Sequence, residues 1–105
     1  MYYKLQGKDI VKCKDINEWV KFMEIKKRIL FVDVISDATI STVFLGLDHN
    51  FGGGIPVLFE TMIFGGKSDN YLERYSTWDD AEEGHKFILK QIKNKGYVNE
   101  KPESI

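Results

Sequence analysis

The spacing of apolar residues changes period twice along this chain. Residues 1–13 alternate in two short runs, "YYKL" and "DIVKC", around the turn-like "QGKD", which predicts a small β-hairpin. From Asp15 the period becomes helical. Ile16, Trp19, Val20 and Met23 recur on one face, with Asn17, Glu18, Lys21 and Glu24 on the other. Asp15 followed three residues later by Glu18 is an N-terminal capping arrangement. The basic "KKR" of residues 26–28 follows the last turn, where positive charge complements the helix dipole.

The period then shortens again. "RILFVDVI" and "ATISTVFLGL", separated by "SDA", are rich in β-branched and aromatic residues and predict two strands joined by a short turn. "IPVLFETMIF" predicts a third, with Pro56 tolerated at its start, and "GGKSDN" is a turn leading into a short strand "YLERYS". The last element, "STWDDAEEGHKFILKQIKNKG", is helical, with Trp78, Ala81, His85, Ile88, Leu89 and Ile92 as its inward stripe. Ser76 or Thr77 caps it, acids load its first turns, lysines load its end, and Gly96 stops it. The expected fold is α+β: an antiparallel β-sheet with two α-helices packed on one face, in the order β-β-α-β-β-β-β-α. A single domain is expected over 1–96, with 97–105 as a loosely ordered C-terminal tail.

Composition narrows the class. The chain has 105 residues, of which 43% are hydrophobic, 13% aromatic and 30% charged, a globular profile with enough apolar matter for one core. No apolar run reaches the ~18 residues of a membrane span, and no apolar leader is evident, so a cytoplasmic protein without membrane partners is expected. Cys13 is the single cysteine, which excludes an intrachain disulfide and reads as a small packed side chain. Charge is segregated: residues 1–28 carry eight bases against four acids, and 29–85 carry ten acids against Lys67 and Arg74. Residues 86–105 carry five lysines against two acids. Nucleic-acid binders concentrate cations beside their aromatic residues, whereas here the aromatic-rich middle is acidic, so nucleic acid is not the expected partner.

Candidate chemistry gathers in "FLGLDHNFGGGIPVLFETMIFGG", residues 44–66. Successive glycines can turn backbone N–H groups into an anion nest, but phosphate-loop fingerprints need a helix after the glycines, and here a strand follows. A flap over a pocket, carrying Asp48, His49, Asn50 and Gly53 with Phe51 as apolar tip, and a plain β-turn both remain open. His85 falls on the inward face of the last helix, after Gly84. It reads either as a core histidine bonded to a strand carbonyl, with Gly84 as a packing notch, or as a pocket floor. Glu60 and Arg74 read either as a cross-strand ion pair or as anion-reading groups of a pocket shared with His49 and His85. The spacing of His, Cys and acids offers no metal motif, so neither a metal nor a cofactor is expected.

The run "TVFLGLDHNFG", followed by "LFETMIFGG", "ERYSTW" and the "GH" of residues 84–85, resembles a widespread family of small bacteriophage and prophage proteins over about residues 39–85. The resemblance implies a setting rather than a reaction: a phage gene expressed inside a bacterial cell, outside the structural and replication modules. Such proteins are often host-interaction factors, including counter-defence proteins that sequester nucleotide signals or bind a host protein. The expectation is therefore a non-enzymatic accessory protein that binds a small ligand or a host partner through Asp48, His49, Asn50, Phe51, Gly53, Glu60, Arg74 and His85. Homo-oligomer formation is open. The alternatives are a small hydrolase of a nucleotide-like substrate using His49 or His85, and a purely structural module.

Overall fold

The middle of the chain is a meander whose strands are joined by one tight turn and two longer connections. We describe residues 1–24, 28–50 and 52–98 in a computed structural model. Strands β1 (Tyr3–Gln6) and β2 (Asp9–Lys12) precede helix α1 (Ile16–Glu24). Strands β3 (Ile29–Ile35), β4 (Ala38–Phe44), β5 (Phe59–Phe64) and β6 (Leu72–Tyr75) follow, then helix α2 (Trp78–Lys95). This is the expected α+β order. Ile35 pairs directly with Ala38, so only Ser36 and Asp37 make the β3–β4 turn, with Ser36 in the left-handed region.

The strands divide into two sheets rather than one. β3, β4, β5 and β6 lie side by side in that order, all antiparallel, while β1 and β2 pair only with each other. The first hairpin meets the large sheet beyond the end of β4, where Tyr3 N–H donates to Gly46 O at 2.8 Å and Tyr2 bridges Leu47. Gly46 sits at φ +74°, and a Cβ there would run into Trp19 and the Tyr3 carbonyl. The glycine in "FLGLDHN" is thus a landing point for the first hairpin and α1.

α1 is capped as its sequence indicates: Glu18 N–H donates to Asp15 Oδ1, and the Glu18 carboxylate accepts from Lys14 N–H and pairs with Lys4. Its buried face differs from the expected one. Phe22 is the buried residue, edge-on to Phe44 at 5.9 Å, and Trp19 meets Tyr2 at 5.0 Å, while Ile16 and Val20 are exposed. The stripe is rotated because the helix docks through its aromatics against the end of the sheet. Residues 26 and 27 of the basic run lie outside the described residues.

α2 crosses one face of the four-stranded sheet. Thr77 caps it by accepting from Asp80 N–H, and Gly96 ends it at φ +85°. Ala81, His85, Ile88 and Ile92 are buried, as their spacing predicts. One core cluster joins Ile88, Ile92 and Val98 to Ala38, Ile40 and Ile63; the other joins Ala81 to Phe22, Phe44, Leu58 and Phe59. Val98 is buried and its N–H donates to Ser68 Oγ at 2.8 Å, so packing continues past the expected boundary at residue 96. Residues 99–105 lie outside the described residues.

Gly84 is the notch that lets α2 sit this close. A Cβ there would collide with the ring and hydroxyl of Tyr75 on β6. Helix propensity alone favours alanine over glycine by ~1 kcal/mol. Steric overlap in a packed core outweighs it, so Gly84→Ala should destabilise the fold by about 1–3 kcal/mol in urea unfolding. A stabilised Gly84→Ala variant would show that this contact is not made.

Candidate functional site

Three polar side chains stand where the alternation of the sheet calls for apolar ones. Thr42 lies between Ile40 and Phe44 on the inner face of β4, and Thr61 between Phe59 and Ile63 on β5. The two threonines are direct partners in the register. Their hydroxyls meet at 2.5 Å, and Thr42 Oγ1 lies 2.7 Å from His85 Nδ1. The other ring nitrogen, Nε2, is 2.7 Å from Asp33 Oδ2 on β3. A carboxylate accepts, so Nε2 carries a proton; in the neutral ring Nδ1 then accepts from the Thr42 hydroxyl, and Thr42 accepts from Thr61. Phe31 lies against the imidazole at 5.5 Å and edge-on to Trp78 at 5.8 Å.

The components are those of a hydroxyl–imidazole–carboxylate relay, but its orientation is inverted. Both threonines are fully buried and His85 is 4% exposed, whereas the Asp33 side chain is 45% exposed. A nucleophile must meet its substrate, and here the hydroxyl end is sealed while the carboxylate end faces solvent. The row closes the hydrogen-bonding needs of a buried histidine through side chains rather than through the strand carbonyl considered for it. Beside it the Tyr75 hydroxyl is buried next to Thr61, without a well-formed hydrogen bond to any described residue. Burial pushes the Tyr75 phenol up to about 12, against a smaller opposing effect of Thr61.

The residues expected to share one pocket fall into separate places. Glu60 and Arg74 are register partners, and Arg74 Nε donates to Glu60 Oε2 at 3.1 Å. They project from the face opposite His85, because Glu60 is next to the inward Thr61 on one strand. The sheet itself therefore separates Arg74 from His85. His49 pairs through its N–H with Val57 O, four residues along the chain from Thr61, a distance of about 13 Å when extended. His49 is thus anchored just before the start of β5, and Arg74 lies on the far side of the sheet from His85.

Asp48, Asn50 and Gly53 do come together, as a self-contained loop. Asp48 Oδ1 accepts from Asn50 N–H at 2.8 Å and from Val57 N–H at 2.9 Å. Asn50 Nδ2 donates to Ile55 O at 2.8 Å, and Gly53 N–H to Asn50 O at 3.2 Å. His49 Nδ1 lies 2.7 Å from Leu47 O. Phe51 lies outside the described residues. Ile55 stands 73% exposed on the turn. A shallow cleft of about 330 Å³ lies elsewhere, where Lys8, Asp9 and Ile10 of the first hairpin face Thr77, Trp78 and Asp79. No group of three or more His, Cys or acidic residues suited to a metal occurs among the described residues, and no described helix is long and apolar enough to cross a membrane.

No family model, curated protein or solved structure matches this chain. The site residues missed in the sequence are Asp33, Thr42 and Thr61. Their signal was present in weak form: "ATISTVF" and "FETMIF" each place a threonine on the face that otherwise carries Ile and Phe.

Two expected outcomes follow from this geometry. His85→Ala removes a buried ring and a hydrogen-bond partner of Thr42, and should cost about 2–4 kcal/mol in urea unfolding. Asp33→Asn keeps an acceptor at a half-exposed position and should cost under about 1 kcal/mol. Equal losses would contradict the inverted relay. For Asp48, the N–H groups of Asn50 and then Val57 hold the carboxyl below its ordinary 3.8. A depressed folded-state value means that its contribution to loop order is complete above the ordinary Asp range. That contribution is lost as pH falls through the lower value. The Asp48 carboxyl carbon should titrate below 3.8 by NMR, with the Asn50 and Val57 amides shifting at the same midpoint. Asp48→Asn should remove that transition.

Proposed function

We propose that this chain is a non-enzymatic phage or prophage accessory protein that holds a host protein partner through the tied loop of residues 48–57. The observation that carries this reading is that the loop's shape is set internally. The Asp48 carboxylate and the Asn50 amide fix the backbone from both sides, and Ile55 is displayed at 73% exposure. Loops held in one shape lose little conformational freedom on binding, which is where affinity is otherwise lost. An apolar residue raised on such a loop suits a pocket on a protein surface. A small ligand needs a concave site with convergent polar groups, and Arg74 and His85 lie on opposite faces of the sheet.

The setting implied by the phage resemblance makes counter-defence the expected role, with the bound host protein as its target. Against a hydrolase stands the buried hydroxyl end of the His85 row.

The test is affinity capture from bacterial lysate on the immobilised chain, read by mass spectrometry for proteins and for small molecules. A host protein should be enriched by the parent chain and lost at least ~10-fold with Ile55→Glu, since charged truncation of a central anchor costs ~1.4 kcal/mol or more. Asp48→Ala should weaken capture with less effect on folding. Retention of a nucleotide that depends on His85 and ignores Ile55→Glu would overturn the proposal. So would nucleotide turnover abolished by His85→Ala.

A further inference from the structure

α2 crosses one side of the four-stranded sheet, and the first hairpin and α1 join the core at the Phe44 end of that side; the opposite side is the one whose residues stand exposed. Its cross-strand rows follow from the register. Val34, Thr39 and Phe64 form one row. Val32, Ser41, Met62 and Leu72 form the next. Val43, Glu60 and Arg74, with Ile29 at the β3 edge, form the third. Val34 is 72% exposed, Phe64 50%, and Ile29, Val32 and Leu72 are exposed too. Soluble monomers rarely leave a contiguous apolar patch beyond a few hundred Å².

We propose that this open face is a homodimer interface, covered by the same face of a second copy across a two-fold axis. Three features select a second copy as the occupant. The first is charge. Glu60 and Arg74 are the only charged residues of β3, β4, β5 and β6 on this face among the described residues, so the face is neutral and carries one of each sign. A two-fold axis lets Glu60 of each copy meet Arg74 of the other, which few unrelated surfaces would match.

The second is relief. Thr39 and Ser41 make a trough along β4 between a ridge of Val32 and Val34 and a ridge of Met62 and Phe64. The Met62 and Phe64 ridge of one copy fits the trough of the other, the interdigitation of sheets stacked ~10 Å apart. The third is area. Four strands ~4.8 Å apart and about six residues long give a footprint of roughly 400 Å². A pair therefore covers roughly 800 Å² in projection, and more in accessible area, close to the ~1,000 Å² from which specific interfaces start. This interface is independent of the 48–57 loop, which leaves from the end of the ribbon, so either proposal can fail alone.

Sedimentation equilibrium of the full chain tests it across about 1–200 μM, concentrations that bracket micromolar association. The parent chain should approach twice the 12.2 kDa of one chain. Phe64→Lys should weaken association at least ~10-fold, because it sets a charge in place of a large exposed apolar side chain of this face, with unchanged far-UV circular dichroism. Glu60→Arg should also give monomer, and Glu60→Arg with Arg74→Glu should restore the dimer. If Phe64→Lys fails to fold, the charge-reversal pair decides alone, and absence of restoration overturns the proposal. A parent chain that stays monomeric at the top concentration overturns it. A dimer that survives Phe64→Lys does so as well, because it must then use another surface such as the free β3 edge.

Discussion

The buried hydrogen bonds of Thr61, Thr42, His85 and Asp33 set where every other inner residue of this protein can sit. Apolar side chains tolerate small sliding, because one methyl contact is worth much the same as its neighbour. A hydroxyl in a dry core tolerates none, since losing its partner costs about 1–3 kcal/mol. Thr42 and Thr61 satisfy one another only when β4 and β5 pair in the observed register. A slip of one residue would turn one strand's inner set outward and leave both threonines without each other. His85 then ties α2 to β4 and, through Asp33, to β3. Three strands and the last helix are thereby indexed at one point, and the two apolar clusters fill the space on either side of it.

The same row separates packing from display. On the helix side Thr61, Thr42 and His85 are committed to one another, and the reachable end of their row is a carboxylate already engaged by an imidazole. The two proposed contact surfaces lie elsewhere: a loop tied by its own side chains at the end of the ribbon, and a sheet face with a balanced ion pair. Glu60 is well buried by its neighbours while Arg74 is more exposed, so the pair anchors one corner of that face without adding net charge.

Helical and strand elements were legible because they rest on local rules. Thr77, Gly96 and the charge gradient of α2 act within one helix turn of where they stand. The Glu60 and Arg74 pair was also within reach, since strand alternation and a short connection bring them opposite one another. The assembled site was not. A threonine in "ATISTVF" is an ordinary strand former, and only the register shows that it faces a second threonine and a histidine 43 residues on. Face parity was the missing constraint: once Thr61 points at α2, Glu60 cannot. The rotation of α1 was hidden for a related reason. Its helical spacing supports more than one apolar stripe, and the aromatic surface at Phe44 selects the one containing Phe22.

The order in which the chain leaves the ribosome acquires a meaning from these contacts. β3 and β4 can pair as soon as they emerge, since their turn is local, and β5 and β6 can add in sequence. Their inner threonines and Asp33 must then wait for His85, which is 52 residues after Asp33. Until α2 has been synthesised, the inner face of the sheet has only the first hairpin and α1 to cover its Phe44 end, and no lid over its central polar pair. The final helix therefore completes the buried polar row: a chain cut short before it holds Asp33, Thr42 and Thr61 without the imidazole that joins them.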